Sequence, residues 1–324
     1  MRMTLPGLFD LQVNGFGGVD FNGPDLTADR VSTALDQMRA TGVTRCLPTL
    51  VTSSFDRFAA NARVLSRMAD PAIAGLHMEG PYVSPLDGAR GAHPRAHVIA
   101  ASTDDFDRRQ DAACGRIVLV TLAPEVPGAL PLVEHLVAAG VRVAIGHTMA
   151  TASQIRDAAA AGATLATHLG NGCPELLPRH PNVIWEQLAA DALHASFIAD
   201  GHHLPASTMK AMIRAKGADR AILVTDAMAA AGCAPGRYSI GDVEGELGPD
   251  GRVSLPGTPY LAGSSVTLDR AIVNAIRFTG LPIDAVVAMA STIPASLVGA
   301  STSGCLTVDW DADAGELRIL DLTT

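Results

Sequence analysis

One local pattern recurs along this chain and constrains its fold more than any other feature. A helix-like stretch ends in a small residue plus glycine, and a short apolar run follows at once. Gly42 precedes VTRCLPTL, Gly140 precedes VRVAIGH, Gly162 precedes ATLATHL and Gly217 precedes ADRAILVTDA. Glycine just past a helix adopts the left-handed backbone that stops it. The runs that follow are short and apolar, as strands buried on both faces must be. Eight such strands are expected, near 7–13, 43–49, 73–78, 117–122, 142–146, 164–168, 195–199 and 221–225. Helical stretches separate most of them, over 27–41, 54–69, 129–139, 151–161 and 205–216. Thr151-Ala152-Ser153-Gln154 opens one with a capping-box pattern. Alternating strands and helices with short links make a parallel sheet with right-handed crossovers. Eight units favour an α/β fold of the closed (β/α)8 type over a doubly wound open sheet. At 324 residues the chain is long enough for one barrel of about 250 residues with additions.

Two segments break the alternation. Arg237–Gly257 carries Asp250-Gly251 between strand-like pieces, a hairpin signal, and Cys305–Leu322 reads as a second hairpin. The two are expected to pair into a small β appendage. The division that follows is a barrel over 5–304 with a hairpin insertion at 237–257, and a C-terminal hairpin over 305–324.

Composition narrows the function classes. Apolar residues make up 48% and charged residues 18%, which excludes a disordered chain. A net charge of −9 repels a phosphate polymer, so no nucleic-acid partner is expected. No apolar run reaches the ~18 residues of a membrane span, so no membrane partner is expected either. Five widely spaced cysteines without a CxxC fit a reducing compartment. The opening MRMTLPGLFD interrupts any signal-peptide core with Pro6 and Asp10. The expected location is cytoplasmic.

Barrel enzymes carry their chemistry at the C-terminal ends of the strands. Polar groups stand at six of those ends: Gln12 and Asn14, Glu79, His147, His168 with Asn171, Asp200 with His203, and Asp226. Two imidazoles and a carboxylate, His147, His168 and Glu79, suit one divalent metal ion that keeps a position open for water. Zn2+ is the first choice; Fe2+, Mn2+ or Co2+ would also fit. Asp226 ends an apolar run, where it serves either as a helix N-cap or as a base beside the metal. His93 lies on a long loop and can donate to a substrate carbonyl. Arg179, in a proline-flanked loop, suits a phosphate or carboxylate, or is simply solvated. His97, His135 and His194 are expected at the surface, the last two on helices.

The stretches LPGLFDLQVNGFGGVDFN, HMEGPYVSP, RGAHP, GHTMAT, ATHLGN, IADGHHL, LVTDAMAAAG and LAGSSVTLDRA, in this order, resemble the N-acetylglucosamine-6-phosphate deacetylase family of the amidohydrolase superfamily. The resemblance runs from about residue 5 to 300. It implies that Glu79, His147 and His168 hold the metal and that Asp226 is general base and acid. It implies that His93 polarises the acetyl carbonyl. Asn171 and Gly172 would contact the sugar or phosphate, and Arg179 and His203 the 6-phosphate. Gln12 and Asn14 replace an HxH pair of other superfamily members, so a mononuclear site is expected. A homodimer is the expected assembly. The sequence departs from the family where HLYNAM becomes His168-Leu169-Gly170-Asn171-Gly172-Cys173. It also departs by lacking the ~50 residues of β-sandwich that usually precede the first strand. The activity implied is release of acetate from N-acetylglucosamine 6-phosphate. Alternatives are deacylation of a different or non-phosphorylated N-acyl amine, and a catalytically inactive sugar-binding barrel.

Overall fold

The computed structural model describes residues 1–258 and 260–323. Eight parallel strands form the centre: β1 Leu8–Val13, β2 Val43–Val51, β3 Leu76–Glu79, β4 Ile117–Leu122, β5 Arg142–Ile145, β6 Leu165–Ala166, β7 His194–Ile198 and β8 Ala221–Val224. They neighbour one another in chain order from β1 to β8. The circle closes where β8 returns to β1. Asp226 N–H donates to Gln12 O (2.9 Å), Asn14 N–H donates to Ala227 O (2.7 Å), and Val13 pairs in parallel with Ala227. Closure decides for the barrel over the open sheet. A helix follows every strand, and Thr103–Ala112, Val183–Ala189 and Leu268–Thr279 add to the five stretches named from the sequence.

The helix stops behave as the sequence demands. Gly42, Gly140, Gly162 and Gly217 all have positive φ. Thr27, Ser54 and Thr151 accept hydrogen bonds from the third helical N–H, and Thr151 with Gln154 forms the full capping box. Most buried strand residues are apolar, which places the core inside the barrel and between the barrel and its helices, with polar side chains such as Asp10, Gln12, His77, Glu79 and Thr121 buried among them. Pro48 sits within β2 where the β1–β2 pairing is irregular, between Asp10 and Val13, so no regular ladder donor is missed there.

The two β segments do not pair with each other. The hairpin Cys305–Asp311/Glu316–Thr323 instead takes the N-terminal strand Arg2–Pro6 as its third member, with Arg2 opposite Asp309 and Pro6 opposite Cys305. The other segment forms its own three strands, Gly236–Ile240, Val243–Leu247 and Val253–Ser254, with Asp250-Gly251 in the second turn. Met228, Ala230, Ile240, Leu247, Val253 and Ala262 give that sheet a separate small core, against which Val51 at the end of β2 packs. His194 is the first residue of β7 rather than part of a helix. His135 does lie on a helix, bonded to Asp107. Among the described residues no helix is long and apolar enough to cross a membrane.

One buried cation supports the barrel wall. Lys216, 1% exposed, donates from Nζ to the carbonyls of Gln187 (2.9 Å), Leu188 (3.4 Å) and Ala190 (2.7 Å), which end the helix after β6. The Gln187 and Leu188 carbonyls belong to the last turn, which has no helical donors, and Ala190 O also accepts from Leu193 N–H (3.1 Å). Lys216→Met keeps the bulk and removes the donor. It is expected to lower unfolding stability by roughly 2–3 kcal/mol, read in a urea titration.

Candidate active site

Glu79 ends β3, His147 follows β5 by two residues and His168 follows β6 by two. The barrel therefore brings to one mouth three side chains that are up to 89 positions apart. All three are buried. His168 Nε2 lies 3.0 Å from Glu79 Oε1, His147 Nε2 lies 3.2 Å from the same oxygen, and the two Nε2 atoms are 3.1 Å apart. The Nδ1 of His147 faces Ala89 O at 3.0 Å. A carbonyl only accepts, so Nδ1 carries a proton and Nε2 is the atom turned toward Glu79 and His168. A carboxylate oxygen and two ring nitrogens thus converge on one point, where a shared proton or a cation sits between them. A tetrahedral ion with bonds of about 2.0–2.1 Å needs ligand atoms about 3.3 Å apart, close to the observed edges. The donor set fits a divalent metal ion. His168 Nδ1 has no partner, so that ring lacks the outer hydrogen bond that His147 has.

Asp226 lies just beyond β8 and is buried. Its Oδ1 accepts from Asn14 Nδ2 (2.7 Å) and Gln12 Nε2 (3.1 Å), and the same Gln12 amide donates to Glu79 Oε1 (3.0 Å). One amide therefore spans the two carboxylates. Beneath it, Asp10 accepts from Gln12 N–H (3.2 Å), Thr225 N–H (3.2 Å) and Thr225 Oγ1–H (2.5 Å), locking β1 to β8. Burial pushes the Asp10 carboxyl up to about 7 against the pull of those three donors. Burial also raises Glu79, but hydrogen bonds and charge from His147 and His168 outweigh it and hold Glu79 well below the usual carboxylate range. Asp226 moves the other way, raised by burial and then by the charge on Glu79. Two neighbouring carboxyls with opposed shifts suit different tasks: one stays ionised, as a metal ligand must, and the other is suited to carry a proton.

The backbone marks the same residues. Among described non-glycine residues only Cys114, His147, His168 and Asp226 have positive φ, at 52°, 50°, 30° and 48°. Such conformations cost about 1–3 kcal/mol each and persist where the surroundings enforce them. Gly172 (φ 57°) is a glycine by necessity, since a Cβ there would stand 2.8 Å from His147 Nδ1.

The mouth opens into a cavity of about 380 Å3, within the range of small-molecule sites. Asn14, Glu79, His93, His147, His168, Asn171, Gly172, His203 and Asp226 all line it. His93 is buried, its Nδ1 2.7 Å from Thr52 Oγ1. Burial, then the charge of His147, pushes its imidazole down to about 3, so it is neutral. His203 Nδ1 binds Asp200 Oδ2 at 2.6 Å, and Asn171 Nδ2 donates to His168 O. Arg179 is the exception. It is exposed on the loop after β6 and does not line the cavity.

Sequence reading passed over Thr52 and Glu125, which follow β2 and β4. Glu125 accepts from Thr148 Oγ1 (2.5 Å) and Met149 N–H (2.6 Å), bracing the loop that carries His147. The strand-end rule that found the other six positions points to both.

A (β/α)8 barrel with these groups at its C-terminal mouth defines a hydrolase of the metal-dependent barrel class. The amidohydrolase family model matches residues 3–315. The N-acetylglucosamine-6-phosphate deacetylase of Lysinibacillus sphaericus is 32% identical, over 97% of this chain and 81% of that protein. The human enzyme of the same name is 34% identical, over 99% and 80%. The crystal structure of the Mycobacterium smegmatis enzyme superposes with a TM-score of 0.91 at 30% identity, covering 99% of this chain and 86% of that one. A mutant of that enzyme in complex with N-acetyl-D-glucosamine-6-phosphate superposes with the same TM-score. The chain belongs to the amidohydrolase family and, within it, to the N-acetylglucosamine-6-phosphate deacetylases, hydrolases of an amide bond.

Proposed function

We propose that this chain hydrolyses the acetamide of N-acetylglucosamine 6-phosphate, releasing acetate and glucosamine 6-phosphate. The observation that carries the reading is the single Gln12 amide shared by Glu79 and Asp226, which fixes a proton-carrying carboxyl beside a ligand cluster. Glu79, His147 and His168 would hold one divalent ion, with Zn2+ the first choice for a nitrogen and oxygen donor set. When bound, such an ion supplies Lewis acidity to a water and to an amide carbonyl.

The protein's own groups do the rest. Gln12 and Asn14 both hold Asp226 Oδ1, which turns Oδ2 toward proton transfer. Asp226 takes one proton from the attacking water as the new C–O bond forms. It returns that proton to the nitrogen as the C–N bond breaks. His93 Nδ1 and the Thr52 hydroxyl share a hydrogen bond; with the hydroxyl as donor, His93 carries its proton on Nε2 and offers it to the developing oxyanion. Asn171, Gly172 and His203 contact the sugar and its phosphate. Arg179 reaches the phosphate by movement of its loop.

A cytoplasmic site of action is supported by five cysteines that are all free. A homodimer is supported by the exposed apolar side chains of Leu86, Leu176 and Trp185.

A second reading rests on the cavity rim. Glu175 and Asp242 line it, and no described Lys or Arg side chain does. That charge pattern suits a non-phosphorylated N-acyl amine. Acetate release from N-acetylglucosamine 6-phosphate, its unphosphorylated form and N-acetylgalactosamine 6-phosphate separates the two. The first reading expects Arg179→Ala to lower kcat/KM for the phosphorylated sugar about 10- to 100-fold and to leave the unphosphorylated one unchanged. Equal rates on both sugars, insensitive to Arg179, would favour the second.

A further inference from the structure

One wall of the cavity does not come from the barrel. The turn Ile240-Gly241-Asp242-Val243 joins the first two strands of the small sheet, and all four residues line the cavity beside Glu79, His93 and Asp226. What holds the turn is remote in sequence. Asp20 lies in the link after β1, half-buried. Its Oδ1 accepts from Asn22 N–H at 2.8 Å, and its Oδ2 accepts from Gly241 N–H at 2.8 Å, across 221 positions.

Asn22 carries the tie into the barrel. It is buried, its Oδ1 accepts from Val51 N–H (2.9 Å), and its Nδ2 donates to Thr49 O (3.0 Å). Val51 itself lines the cavity and packs on the small sheet's core. A Cβ on Gly241 would lie 3.6 Å from Asn22 Cβ, so the turn rests on this residue. Among the described residues a second polar link to this turn is weaker: Arg57 Nη1 is 3.9 Å from Asp242 Oδ1, and both side chains are partly in solvent. Elsewhere the small sheet is tied by His202 Nε2 to Asp250 O (3.2 Å) and by Ser265 Oγ to Gly251 O (2.7 Å), at the turn after its second strand; among the described residues Asp20 is the firm polar tie on the 240–243 turn itself.

We infer that Asp20 is a positioning residue for substrate binding: its carboxylate fixes the Ile240–Val243 turn as a wall against the sugar, touching neither substrate nor metal. The inference rests on the reading of this cavity as the substrate site. A group that sets only the wall acts on binding and leaves the bond-breaking step alone.

Asp20→Asn tests it. The asparagine oxygen still accepts from Asn22, but its NH2 cannot accept from Gly241. In the metal-loaded enzyme, acetate release from N-acetylglucosamine 6-phosphate should show KM raised about tenfold, equal to about 1.4 kcal/mol, with kcat within about twofold of wild type. A KM within twofold of wild type, or a kcat that falls as far as KM rises, overturns the assignment. Should Asp20→Asn not fold, hydrogen exchange on the Asp226→Asn variant, in which turnover is blocked, tests the same claim. N-acetylglucosamine 6-phosphate should slow exchange of the 240–243 amides, and unchanged exchange there overturns it. If the unaltered enzyme releases no acetate, the reading of the site fails and this inference fails with it. Release by wild type with an unmoved KM in Asp20→Asn fails the inference alone.

Discussion

Asp226→Asn should lower kcat by about 1,000-fold or more, toward the upper end of what a positioned proton carrier contributes, while metal content and unfolding temperature stay at wild-type values. The substitution is nearly isosteric. Oδ1 keeps its hydrogen bonds to Gln12 and Asn14, so the backbone at φ 48° remains supported. What disappears is the capacity to take a proton from water and hand it to the leaving nitrogen. The carboxylates also repel, because the Glu79 charge raises Asp226. Removing the second charge relieves that repulsion, which is why stability is expected to hold. Acetate release under single-turnover conditions, alongside elemental analysis of the same sample, checks both halves. Turnover near the wild-type rate would mean that another group moves the proton.

Glu79→Gln is expected to weaken divalent-ion affinity by about 100-fold or more, since even outer-shell partners contribute 10- to 100-fold and Glu79 would ligate directly. The effect has a geometric source. Glu79 Oε1 is the one negative atom that both imidazoles approach, at 3.0 and 3.2 Å. With glutamine, three neutral donors remain. Activity should follow occupancy, recovering in part at high metal concentration, whereas Asp226→Asn should not recover at any concentration. The contrast separates holding the ion from moving the proton. Wild-type affinity in Glu79→Gln would remove that residue from the ligand set.

Much of this architecture was legible in local sequence because it rests on local physics. A glycine after a helix and an apolar strand behind it specify where the chain turns at four links, and eight alternating strand–helix units specify the barrel. The candidate positions follow from strand ends, which is why Glu79, His147, His168 and Asp226 are found together at one mouth. Pairings between distant segments were not legible. Arg2–Pro6 joins Cys305–Asp311 across the whole chain, and no local pattern in MTLP announces that partner. The same holds for Asp20 and Gly241. The expected union of the two β segments failed because hairpin signals reveal a turn but not the neighbour its edge will choose. His194 was assigned to a helix because a two-residue β6 and a seven-residue helix leave little periodicity to read before β7. Arg179 shows a different limit: its loop places it in solvent, and sequence cannot report where a loop tip points.

Calorimetric titration of metal-stripped protein with Zn2+ at pH 7, repeated in buffers of different ionisation enthalpy, tests the central claim most directly. Three lone-pair donors packed within 3.2 Å in the absence of an ion must share a proton, and the Glu79 charge raises His168 despite its burial. The account predicts one ion per chain with release of about one proton on binding. Affinity should fall as pH drops and His168, held above its usual range by its hydrogen bond to Glu79 and the Glu79 charge, takes up a competing proton, and His147→Ala should lose the tight site. No saturable binding, or binding that neither releases a proton nor depends on His147, would contradict it.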